Sequence, residues 1–163
     1  MSKRLDLRAF QQNLSDRMQD RGRMGGQMSW LGVMIAGQNW LVEMADISEV
    51  LSLPRLAIVP LAQPWFRGVA NVRGNLYGVV DMAAYLQTGS ASGENTNRIL
   101  LIAERHGFNT ALLVDGVLGL RDARAWRQDE SNAAQYFDDQ DVTWRKLDVV
   151  DLLEQPQFLQ IGI

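Results

Sequence analysis

At 163 residues, with 47% apolar and 21% charged positions, the chain has the material for one globular domain or two small subdomains, and its net charge of −3 argues against a broad phosphate-binding surface. Cysteine is absent and histidine occurs once, which excludes disulfides, a cysteine nucleophile and a zinc site of the usual ligand types. No apolar run approaches the roughly 20 residues that span a bilayer, and Met1–Arg8 lacks the continuous apolar core of a secretory signal, so a cytoplasmic protein without direct membrane insertion is expected.

Leu7, Phe10, Leu14 and Met18 recur at three- and four-residue steps, which predicts an amphipathic helix over residues 5–20. Residues 21–26 then form a glycine-rich joint, so 1–28 read as an N-terminal helix plus a flexible connection. This head holds six basic residues against three aspartates, a balance of +3 that leaves −6 for the remainder. Its positive charges alternate with aspartates, the pattern of a solvated helix face rather than a nucleic-acid patch.

From Trp30 the period changes to strands: Trp30–Ala36, a Gly37-Gln38-Asn39 turn, and Trp40–Met44. Residues 46–53 fit a helix face or a strand equally well. Pro54, Pro60 and Pro64 punctuate an irregular connection that no central strand crosses. Trp65 to Met82 then reads as two apolar strands meeting at Arg73-Gly74-Asn75, with Gly-Asn as the turn pair and Asp81 capping a short helix, Met82–Leu86.

A polar loop follows over 87–97, and then strands at Arg98–Glu104 and Phe108–Val117, separated by a His106-Gly107 turn. The same reading makes Leu118–Arg127 a strand, Ser131–Phe137 a short helix, and Val142–Lys146 a last strand before a terminal helix capped by Asp148. Short strands every eight to twelve residues predict a mainly β fold of sandwich or small-barrel type.

Catalytic chemistry is sparse. Asp81, Asp115 and His106 are the groups a small carboxylate-dependent enzyme would use, and they would have to meet in one pocket. No Gly-x-Ser-x-Gly elbow or phosphate loop exists, and no cofactor or metal is called for. His106 lies in a turn, where an exposed side chain is expected. Of the five tryptophans, Trp30 and Trp40 are expected in the core, and Trp65-Phe66, following Pro64, on partly exposed surface.

Three segments carry a resemblance: Arg67-Gly68-Val69-Ala70-Asn71-Val72-Arg73-Gly74 with the following Leu76–Met82, then Ala111–Val117, then Leu147–Leu153. In this order and spacing the chain resembles the CheW-like family, the coupling proteins of bacterial chemosensory arrays. The resemblance covers about residues 30 to 154. It implies two intertwined five-stranded SH3-like barrels within a domain at 29–156, followed by a tail at 157–163. It also implies a non-enzymatic adaptor between the cytoplasmic tip of a chemoreceptor and the regulatory domain of a CheA-type histidine kinase, recruited to membrane-associated arrays.

Carried over by position, the receptor groove would involve Ile47, Val50, Asn71, Arg73 and Gly74, and the kinase side Trp65 and Phe66. Arg73 admits two readings: a cation paired within the fold, or an exposed contact for a partner. Ser52 stands where relatives often carry the acidic partner, which favours the exposed reading. Gly78 stands where they carry a proline. The N-terminal extension, the Trp30-Leu31-Gly32-Val33 entry and Gly78 are most similar to the PilI-type members, which serve type IV pili and twitching motility. Flagellar chemotaxis is the alternative output, and a barrel that binds a peptide or small ligand near its tryptophans is the alternative class.

Overall fold

A computed structural model describes residues 29–91, 93 and 95–162, so the helix expected over 5–20 lies outside the described residues. The hairpin β1 (Trp30–Ile35) and β2 (Gln38–Glu43) is followed by a 3-10 turn, Met44–Asp46, and β3 (Ile47–Ser52). The ambiguous stretch is thus a strand. β4 (Phe66–Val72) and β5 (Asn75–Asp81) form the motif hairpin, and α1 (Met82–Tyr85) follows at once. Next come β6 (Arg98–Ile102), β7 (Thr110–Val114), β8 (Gly116–Arg121), β9 (Arg127–Gln128), β10 (Gln135–Phe137) and β11 (Thr143–Leu147). Two short helices, α2 (Val149–Glu154) and α3 (Pro156–Leu159), complete the described chain.

The strands form two sheets, of order β8-β1-β2-β11-β10-β9 and β3-β6-β7-β5-β4. The first is built from the two ends of the domain and the second from its middle, so the two units are interleaved as the resemblance implied. They are not two closed five-stranded barrels, because the edge strands β3 and β4 of the second sheet are not hydrogen-bonded to each other. The first sheet holds six strands because β9 and β10 add a small flap.

Between the sheets lies the main core, which includes Val33, Ile35, Val42, Leu100, Ile102 and Leu112. A second cluster, including Val79, Ile99, Leu101 and Leu113, covers the other face of the five-stranded sheet. β6 and β7 are therefore buried on both faces, which is why they read as unbroken apolar runs rather than alternating ones.

The stretch Ser131–Phe137 contains the turn that leads into strand β10 and not the expected helix. Asp129 Oδ1 accepts from Ser131 N at 2.8 Å and Asn132 Oδ1 from Ala134 N at 3.1 Å, so side chains take the amides a helix would need. The expected strand over Leu118–Arg127 stops at Arg121.

Tryptophan placement also departs from expectation. Trp30 and Trp40 are only half-buried, each with a cation against its ring, Lys146 and Arg145 respectively. The tryptophans that fill the core are Trp65, at 5% exposed, and Trp144, at 3%. Trp144 packs against Gly32, where a Cβ would stand 3.0 Å from the ring, and donates through Nε1 to Asp138 Oδ2 at 3.0 Å.

Candidate functional site

The hairpin β4–β5 turns on Arg73 and Gly74, both with positive φ (51° and 87°), which is the two-residue turn whose twist matches the strands. The turn pair is thus one residue earlier than the Gly-Asn expected. Glycine suits the second position, and Arg73 holds a left-handed conformation that non-glycine residues seldom adopt. Asn71 Oδ1 accepts from Gly74 N at 2.9 Å and fixes the turn from within.

Arg73 is exposed and paired at once, which joins the two readings held apart above. Its side chain is 67% exposed, yet Nη1 donates to Glu49 Oε1 at 3.1 Å and Nη2 to Glu49 Oε2. The partner is therefore Glu49 rather than an acid at position 52. Glu49 on β3 and Arg73 just past the end of β4 lie at the two edges of the five-stranded sheet, so this fork joins those edges beyond the backbone bridge between Ala57 and Val69. The guanidinium hydrogen bond holds the Glu49 carboxyl below its ordinary range and raises Arg73 in return.

The remaining receptor-side residues differ in accessibility. Asn71 and Gly74 are exposed beside Arg73, and Val50 is half-buried against the inter-sheet core. Ile47 is 7% exposed and belongs to that core, so it shapes the region from beneath.

Trp65 is buried, contrary to the exposure expected after Pro64. Its ring meets Tyr85 edge-on at 5.2 Å and stacks on Phe158 at 6.1 Å, and Tyr85 meets Phe158 at 5.4 Å. Burial raises the Tyr85 hydroxyl above its ordinary pKa. This triad packs α1 and α3 against the start of β4, so residues 157–162 are tied down: Gln63 N donates to Ile161 O at 2.7 Å. Phe66 is half-buried and touches Gly78, where a Cβ would lie 2.9 Å from its ring. Gly78 N also donates to Asn109 O at 2.9 Å, a bond that proline could not make.

The three groups weighed for catalysis lie in different settings. Asp81, buried, caps α1 through Ala84 N at 3.3 Å and also accepts from Ala91 N at 2.9 Å and Arg67 Nη1 at 3.2 Å. Asp115 marks the crossing from β7 to β8 and accepts from Ala36 N at 2.6 Å. His106 is not the exposed turn residue expected: its side chain is 12% exposed, with Nε2 2.9 Å from Asp46 Oδ1. Asp46, which sequence reasoning passed over, also receives Arg105. A surface cavity of about 600 Å³ takes in Asp115, Arg98 and Thr96, but Asp81 and His106 do not line it. The cavity beside Trp126, about 290 Å³, falls just below the usual range of roughly 300–1,000 Å³ for small-ligand sites.

Two interleaved β-units thus share one core and present a cation on a fixed turn. The sequence pattern of the CheW-like domain matches residues 29–144, and the chain belongs to the CheW-like family. It is 33% identical over 95 residues to Protein PilI of Pseudomonas aeruginosa; the match covers 57% of this chain and spans about half, 53%, of that relative. Among solved structures it is similar to the scaffolding protein TtCheW of Thermoanaerobacter tengcongensis, with a TM-score of 0.66 and 18% identity over 80% of this chain and 94% of the other. Among the described residues no helix is long and apolar enough to cross a membrane.

Proposed function

We propose that the protein is a non-enzymatic adaptor that couples the cytoplasmic tip of a chemoreceptor to the regulatory domain of a CheA-type histidine kinase, in a pathway controlling type IV pili and twitching motility. It acts in the cytoplasm, at receptor arrays on the membrane. Family membership and the likeness to Protein PilI support this reading. The observation that carries it is the Arg73-Gly74 turn, a cation held in place by Glu49 and Asn71 yet open to solvent. A preset fork costs little entropy when it meets an acidic or carbonyl-rich partner, and recognition surfaces favour such arginines.

Val50, Asn71, Arg73 and Gly74 form the receptor face, with Ile47 supporting it from the core. Phe66 offers the contact on the kinase side, and Trp65 holds it in place. Receptor rearrangement would then bias the kinase through the five-stranded sheet that carries both faces. Calorimetric titration of the full chain against a receptor tip fragment and the kinase regulatory domain tests this. Arg73→Glu is expected to abolish receptor binding and spare the kinase, and Phe66→Ala to do the reverse. Binding of the wild type to neither partner overturns the assignment.

A further inference from the structure

A sheet edge is a row of unpaired amides and carbonyls, and folded proteins cover it, shorten it or guard it with charge. Among the described residues, three of the four sheet edges are protected in this way. β3 carries the Glu49–Arg73 fork. β4 is covered where Ala57 and Val69 exchange backbone hydrogen bonds at 2.8 and 2.9 Å, and β9 is only two residues long. β8 differs: it pairs with β1 alone, and Gly116-Val117-Leu118-Gly119-Leu120 holds no charge and no proline.

The first half of that edge borders the cavity of about 600 Å³, where Gly116, Val117, Leu118 and Met34 meet Ser90, Thr96 and Arg98 of the other unit. Leu118 has no partner on β1, because the register shifts between Gly32 and Val33, so the strand bends just past the stretch beside the cavity. Arg98 Nη1 donates to Asn95 O at 2.7 Å and to Asn97 O at 2.9 Å, which holds the guanidinium in place. Among the described residues no carboxylate pairs with Arg98, and its Nε and Nη2 make no hydrogen bond. A half-buried guanidinium of this kind keeps a donor fork for a carboxylate from elsewhere. Asp115, bonded to Ala36 N at 2.6 Å, brings a negative charge to the same cavity, so one carboxylate suits the site better than a run of them.

We propose that β8 accepts an extended segment of another protein as a further strand along Gly116–Leu118. Arg98 binds one carboxylate side chain of that segment, and Met34, Val117 and Leu118 receive its apolar side chains. Main-chain hydrogen bonds supply affinity in this mode of binding, and the side-chain contacts supply selectivity. Arg98 lies opposite Ser52, whereas Glu49, which holds Arg73, lies opposite Leu101. Strand addition at β8 requires neither a receptor nor a kinase, so it stands or falls apart from the coupling role.

The test titrates acetyl-Val-Thr-Val-Glu-Val-Thr-amide into the full-length protein and follows backbone amide shifts by NMR. The expected result is saturation, with the largest shifts at Gly116–Leu118. Affinity should exceed that of the same peptide with Gln in place of Glu by at least about tenfold, the scale of one charge-assisted hydrogen bond. Arg98→Gln should erase that difference, and the comparison of the two peptides on the wild type holds even if this variant fails to fold. An added strand pairs through one of its edges, so of two probes N-methylated at alternate residues, one at the odd and one at the even positions, only one should still bind. Equal affinity for the Glu and Gln peptides overturns the proposal, as does equal binding of the two methylated forms or no saturation at millimolar peptide. Concentration-dependent broadening at Gly116–Leu118 without peptide also overturns it, since a second copy would then be the occupant.

Discussion

Arg73 shows how one side chain can close a sheet and still face outward. Its fork to Glu49 joins β3 to the end of β4, two strands that do not pair with each other, and the hydrogen bond lowers the Glu49 carboxyl below its ordinary value of 4.5. A carboxyl with a lowered folded pKa stabilises the fold above its unfolded value and loses that effect as pH falls through the folded one. The difference in stability between wild type and Arg73→Ala should therefore be full at neutral pH and shrink as pH drops below 4.5, which urea titrations across that range measure. A difference that does not change with pH would mean the pair contributes nothing as a pair. Sequence alone showed Arg73 because glycine follows it in a hairpin. It could not show Glu49, which lies 24 positions earlier on the opposite edge, nor Asp46, which meets His106 across 60 positions.

At the scale of elements, caps and turns were the most legible features. Asp81 and Asp148 accept from Ala84 N and Asp151 N, as helix-capping residues three positions upstream should. Burial was less legible, and Trp65 is the instructive case. A residue after proline in an irregular connection looks exposed, but Phe158, from the last helix, arrives to stack on it. Trp65→Ala should then cost about 3–5 kcal/mol in urea unfolding, as a large buried aromatic does, with any loss of kinase binding following the loss of packing. A cost under about 1 kcal/mol would show that the aromatic triad is not holding the C-terminal helices. The misread Ser131–Phe137 has a similar origin: helix-compatible residues were overruled by Asp129 and Asn132 bonding the backbone and by pairing with β11.

For the whole molecule, interleaving is the decisive property. The chain builds β1 and β2, leaves to make the five-stranded sheet, and returns through Asp115 to finish the first sheet from β8 to β11. Both sheets also contribute to one core. Neither sheet can then lose its packing while the other keeps it, so residues 29–162 should unfold in a single transition. Coincident urea curves from circular dichroism and tryptophan fluorescence are the expected result, and two separate midpoints would show that the units are independent.

What the sequence determined by itself was local: strand periods, the rigid hairpin with its arginine, the capping aspartates, and a motif order sufficient to point to the CheW-like family. Those signals act within a few residues, where backbone sterics and hydrogen bonding leave few choices. Only the tertiary structure decided which carboxylate holds Arg73, which tryptophans are buried, and that β3 and β4 do not pair with each other. These depend on partners brought together by sheet curvature and by the chain's return, and no local pattern records them.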